Sequence, residues 1–165
     1  MSYKVEKDWE HKGLRCVVLT LDVRHRCGYV GVTESHVLFG RDYRDKIPES
    51  LLRATEKIKE EPVGKRGIID VLCAAATDPA DFKIGLLFDV HGSITYSGKG
   101  NYPVESQLWW FGFDCVHYGD ACDESIMSDK YASRPHFVHE GVVRTLDYCI
   151  TECESLADQL KGLLQ

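Results

Sequence analysis

Residues 108–122 read Leu-Trp-Trp-Phe-Gly-Phe-Asp-Cys-Val-His-Tyr-Gly-Asp-Ala-Cys, and no other window of the chain is as dense in aromatic and reactive side chains. Read as a strand, the segment puts Trp109, Phe111, Phe113, Cys115 and His117 on one face. Trp110, Gly112, Asp114 and Val116 fall on the other. A strand that is apolar on both faces has to be covered on both, which places it inside a sheet and not at its edge. Where its apolar character ends, Asp114, His117 and Asp120 follow in a turn-rich stretch, a common position for binding residues.

Other segments supply partners for this strand. Residues 14–20 are rich in β-branched side chains, and 27–32 form a hairpin partner across a polar connection that holds Arg24 and Arg26. Two arginines there allow either a solvated loop or an anion clamp. A second hairpin is expected over 84–97, with a turn at Gly92-Ser93. A helix is expected from Pro48 to about Glu61, with Leu51, Leu52, Thr55 and Ile58 as its buried stripe, and 67–76 also carries a helical pattern. Val142, Leu146, Cys149, Cys153, Leu156, Leu160 and Leu163 repeat with heptad spacing. They predict a C-terminal helix of roughly 33 Å that packs on its own sheet or on a second copy. The fold class is therefore α+β: one domain over 1–165, an antiparallel sheet of about five strands and packed helices, with 41–83 as a candidate insertion.

The chain of 165 residues carries a net charge of −6, which argues against a broad nucleic-acid surface. No apolar run approaches the ~18 residues of a membrane span, and the first residues lack the apolar core of a signal peptide. A cytoplasmic setting is expected, where the seven cysteines read as reduced core thiols.

Three chemistries compete for the polar residues. His and Asp side chains suit Zn²⁺ or another first-row ion, although Asp114, His117 and Asp120 match no strong ligand motif; no resident cofactor is expected. Catalysis without metal would use His117 as a base oriented by Asp114 or Asp120, or Cys115 as a nucleophile. Non-catalytic binding would stack a planar base on Tyr96, Trp109 or Trp110 and hold phosphate with Arg24, Arg26 or Arg144.

Four stretches together resemble a group of small uncharacterised proteins encoded by phages and prophages. They are Arg26-Cys-Gly-Tyr-Val-Gly-Val32, Asp89-Val-His-Gly-Ser-Ile-Thr-Tyr-Ser-Gly98, Leu108-Trp-Trp-Phe-Gly-Phe-Asp-Cys-Val-His-Tyr-Gly-Asp120, and 143–157. The resemblance covers most of the chain outside 41–83. It implies a setting, a phage accessory protein in the bacterial host cytoplasm, and no activity. In that setting the first expectation is capture of a small nucleotide-type molecule, such as a host immune signal, by a homo-oligomer. Its ligand-binding residues would be His36, Asp89, His91, Thr95, Asp114, His117, Asp120 and Arg144. The alternatives are a hydrolase, metal-dependent or not, acting through His91, His117 and Asp120, and a protein–protein inhibitor of a host defence protein.

Overall fold

The computed structural model describes residues 3–22, 25–55, 64–66, 72, 78, 81–126 and 141–163. Five strands form one antiparallel sheet: β1 (Tyr3–His11), β2 (Leu14–Leu21), β3 (Arg26–Val32), β4 (Tyr96–Gly100) and β5 (Ser106–Asp114), in the order β1-β2-β3-β5-β4. β5 is an interior strand, as its two apolar faces require. Phe111 and Phe113 point into the main core, and Trp110 points into a second, smaller one.

β1 has no apolar alternation and was not expected from the sequence. It is an edge strand whose Lys4, Glu6, Lys7, Asp8 and Glu10 keep its outer side charged, and it pairs with β2 through a two-residue connection. Lys12 and Gly13 there both take positive φ, 49° and 86°, the conformation that matches the twist of a tight hairpin.

One long helix, α1 (Leu146–Gly162), lies across β2 and β3. It starts later than the heptad predicted because Thr145 caps it, its hydroxyl accepting from the Tyr148 N–H. Val142 and Val143 instead form a short strand, β7, parallel to β6 (Asp120–Ala121). The seam residues Cys149, Cys153, Leu156 and Leu160 are fully buried against the protein's own sheet, so this face of the helix is already covered. Gly28 permits the close approach: a Cβ there would come within 2.6 Å of the Phe113 ring and of Cys153 Sγ.

The second hairpin is corrected. Ile84–Leu87 is a turn of 3-10 helix, and β4 pairs with β5 instead, with Tyr96 opposite Gly112. Ile84, Leu86, Phe88, Val90 and Ile94 are all buried in the main core, and a short continuous apolar run of this kind has no period that separates a strand from an irregular buried segment. A turn is present one residue earlier than expected: Ser93 N–H donates to the Val90 carbonyl at 3.0 Å, so His91 and Gly92 are its central residues, with Gly92 at φ +63°. The helix from Pro48 is 3-10 over Glu49–Ala54, with Leu51 buried. Ile47, Leu51 and Phe82 belong to the main core, so the described parts of 41–83 are packed into the same body as the sheet. Arg24, the 67–76 pattern apart from Leu72, Cys73, His136 and His139 lie outside the described residues.

Candidate metal centre

Where β5 ends, the chain folds back on itself. Asp120 N–H donates to the His117 carbonyl at 2.9 Å, Gly119 takes φ +91°, and Val142 N–H reaches the Gly119 carbonyl at 2.8 Å. Gly141 is needed for this crossing, since a Cβ there would sit 2.4 Å from the Gly119 oxygen. The crossing carries Arg144 and the start of α1 to the loop, while the 90–93 turn delivers His91 from the other side.

Asp120 is the centre of the resulting network and is almost fully buried. Its Oδ2 accepts from His91 Nε2 at 2.7 Å and from the His117 backbone N–H at 2.9 Å, and its Oδ1 accepts from Arg144 Nε at 2.7 Å. Burial pushes the Asp120 carboxyl up, but Arg144, His91 and the His117 N–H outweigh it and hold the group below its ordinary range. A carboxyl depressed in this way stabilises the fold above its unfolded-state pKa of about 4, and that stabilisation is lost as pH falls through the lower folded value. The difference in unfolding free energy between the native chain and Asp120→Asn is therefore expected to shrink as pH falls below about 4. Urea melts across that range measure it.

His91 is held at three points. Its backbone N–H donates to Glu152 Oε2 at 3.0 Å, Nδ1 lies 3.0 Å from the Tyr148 hydroxyl, and Nε2 meets Asp120. Glu152, 1% exposed, is balanced by the Lys65 ammonium on its other oxygen. Burial, and then Glu152, push the Tyr148 phenol up to about 12, so it stays protonated at neutral pH. It can donate to Nδ1, or accept from it when the Nε2 lone pair is needed elsewhere.

His117 is different. Its Nδ1 is buried, has no hydrogen-bond partner among the described residues, and stands 3.8 Å from both Asp114 Oδ1 and Asp120 Oδ2. A buried orphan nitrogen calls for an explanation by a water, an ion or a ligand. One ligand atom from each of His91, His117 and Asp120 lies within 4.8 Å of the others. Donors about 2.1 Å from a tetrahedral Zn²⁺ are roughly 3.4 Å apart. The observed separations of 2.7 Å for His91–Asp120 and 3.8 Å for His117–Asp120 bracket that value. Because Arg144 occupies only Oδ1, it can remain on the carboxylate while Oδ2 serves an ion.

Gly92 sets the position of His117. A Cβ at residue 92 would fall 2.0 Å from the imidazole Cε1, and the positive φ disfavours a side chain as well. Gly92→Ala is expected to push the ring aside and weaken metal affinity about 10–100-fold, the range seen when a ligand loses its support. Zinc titration against a competing chelator measures it.

Beside the cluster is a cavity of about 260 Å³ lined by His25, Cys115, His117, Tyr118, Asp120 and Cys122. His25 was not singled out in the sequence, where it reads as part of a polar hairpin connection. Its Nδ1 is also buried without a partner among the described residues, and burial lowers its pKa. Tyr118 stands fully exposed at this cavity.

Of the eight residues expected to converge, five do: His91, Asp114, His117, Asp120 and Arg144. The other three lie elsewhere. His36 is buried under the end of α1, with Nε2 on the Leu160 carbonyl at 3.0 Å and Nδ1 accepting from Leu38 N–H at 3.1 Å. Asp89 accepts from the Lys65 backbone N–H, and its own backbone is clamped by Gln159. Thr95 has an exposed side chain, and its N–H donates to the Gly112 carbonyl. Arg26 is used inside the fold, bonded to Glu6 at 2.6 Å, Asp123 at 2.7 Å and the Arg144 carbonyl at 3.0 Å. The expected stacking rings are also occupied. Trp110 is fully buried, Trp109 donates to the Arg41 carbonyl, and Tyr96 packs edge-on against Tyr29 and Tyr102. Contact with Cys149 and burial both raise the Cys115 thiol, which is the opposite of what an activated nucleophile requires. Tyr148, Glu152 and Lys65 were missed; Glu152 could have been noticed as a charge beside the apolar seam of α1.

Set against known protein families, curated proteins and solved structures, the chain matches none of them, so the reading of this site rests on its own residues. Among the described residues, no helix is long and apolar enough to cross a membrane.

Proposed function

We propose that the protein is a metal-dependent hydrolase of a small nucleotide-type molecule, with His91, His117 and Asp120 as the ligands of a zinc-like ion. The observation that carries this reading is the convergence of one ligand atom from each of three residues within 4.8 Å beside a cavity, with the buried Nδ1 of His117 standing 3.8 Å from Asp120 Oδ2. Three protein ligands and an open fourth side are the pattern of a catalytic zinc site. His91, His117 and Asp120 would hold the ion, which would supply an acidified water and a Lewis acid for a carbonyl or phosphoryl oxygen. The chain's own residues do the rest. Tyr148 and Glu152 orient His91, Arg144 keeps Asp120 ionised, and Gly92 seats His117.

At about 260 Å³ the cavity is smaller than the roughly 300–1,000 Å³ of drug-sized pockets, so it admits the reacting group and not a whole nucleotide. Tyr118 offers an exposed ring on which a base left outside could stack. Among the described residues, no Lys or Arg lines the cavity, so within that set the ion would be the main attraction for a phosphate. In a phage accessory protein of the kind the sequence resembles, a host nucleotide signal would be a fitting substrate. Capture without cleavage is the weaker reading, because Trp109, Trp110 and Tyr96 are occupied within the fold and the α1 seam is already covered.

The test is to incubate zinc-loaded protein with cyclic and ADP-ribose-type nucleotides, denature it, and identify what is released by mass spectrometry. Cleaved product from the native chain and none from His117→Ala is expected. Recovery of intact ligand in stoichiometric amount would establish capture instead. Failure of any of these molecules to bind or react would remove the nucleotide class.

A further inference from the structure

The thiols of Cys115 and Cys149 stand 3.7 Å apart in the main core, one at the end of β5 and the other in the first turn of α1. Neither is needed by the metal-centre reading. Two other thiols of the main core point elsewhere: Cys153 Sγ of α1 toward the Val17 carbonyl at 3.9 Å and Cys16 Sγ of β2 toward the Leu14 carbonyl at 3.7 Å. Cys149 has no exposed surface, but Cys115 lines the cavity, which gives a small molecule a route to one sulfur of the pair.

We propose that Cys115 and Cys149 are an oxidant-responsive dithiol that closes to a reversible disulfide, with a small neutral peroxide as the co-substrate. Hydrogen peroxide entering the cavity meets Cys115 first. Contact with Cys149 and burial keep the Cys115 thiol protonated, so the step is slow and needs peroxide in large excess. The sulfur attacks one peroxide oxygen, an S–O bond forms, the O–O bond breaks, and water leaves with the thiol proton. Cys149 then attacks the Cys115 sulfenic sulfur, the S–S bond forms, the S–O bond breaks, and a second water leaves with the Cys149 proton. Two thiols lose two electrons and two protons, and one peroxide is reduced to two waters. Shortening the contact from 3.7 Å to the roughly 2.05 Å of an S–S bond draws the two segments together.

The location gives the closure a consequence. Cys115 is two residues before His117, and Cys149 directly follows Tyr148, the partner of His91. The bond would therefore form between the two segments that carry the candidate centre. That effect rests on the metal reading, whereas the dithiol chemistry does not and stands or falls separately.

The experiment treats reduced, metal-free native protein with hydrogen peroxide, blocks remaining thiols, digests without reductant and maps every cysteine. A Cys115–Cys149 linkage that disappears on treatment with dithiothreitol is expected. In Cys149→Ser the linkage should be absent, and a dimedone adduct should appear on Cys115. Cys122, half-buried in the same cavity, reports whether oxidant has entered. Oxidation of Cys122 with Cys115 and Cys149 still reduced would overturn the proposal, as would a linkage of Cys115 to any other cysteine.

Discussion

Replacing Asp120 with alanine is expected to cost about 3–5 kcal/mol of folding free energy, the usual penalty for removing one partner of a buried ionic group. The loss has three parts. Arg144 Nε loses its acceptor, His91 Nε2 loses its anchor, and the His117 N–H is left without a partner inside the protein. Arg144 retains some solvent access, which softens its share and places the value toward the lower end of that range. Asparagine keeps one acceptor oxygen and should cost less, on the order of 1–3 kcal/mol. Urea unfolding of the two variants gives both numbers. A loss under about 1 kcal/mol for the alanine variant would mean that the network does not hold the loop to the helix.

The second large effect is predicted on the opposite face of the sheet. Trp110→Ala should destabilise by about 3–5 kcal/mol, because a fully buried indole is removed from a small layer with little to refill the space. Trp110 packs with Val17, Leu19, Cys27 and Tyr29, and its Nε1 donates to Ser106 Oγ at 2.9 Å. Its two cross-strand neighbours are Gly31 and Gly98, so the strands beside it contribute no side chain at that level. Trp109→Ala, at a partly exposed position under Arg41, should cost about 1–2 kcal/mol less. Equal losses from the two tryptophans would contradict the division of the sheet into two unequal packed faces.

These tryptophans also show what the sequence makes legible. The alternation of 108–116 assigned each side chain to a face and placed the strand inside the sheet, because period-two burial is written directly in the residue order. The β2–β3 pair and the antiparallel sheet with its packed helix were legible for the same reason. β1 was not, since an edge strand is selected for charge and its alternation is lost. The 84–94 run was misread because complete burial erases periodicity.

Within the site, His91, Asp114, His117, Asp120 and Arg144 were legible as polar residues beside turns. His36 and Asp89 carried the same signal, but the His36 ring ties its loop to α1 and the Asp89 carboxylate accepts from the Lys65 backbone N–H. Which of these chemically similar groups meet is decided by the Gly119–Gly141 crossing and by the cap at Thr145, neither of which leaves a periodic trace. Glu152 and Tyr148 reach the site only because α1 lies across the sheet at one particular height. His25 arrives through a hairpin loop that has no pattern at all.

The central claim is that His91, His117 and Asp120 hold one ion. The most direct measurement is the zinc content of the native chain and of His117→Ala, each loaded with zinc, desalted and weighed intact under native conditions. One zinc per chain in the native protein, and none in the variant at unchanged helix content, is the result the geometry predicts. Equal zinc in the two, or no zinc in either, would contradict it.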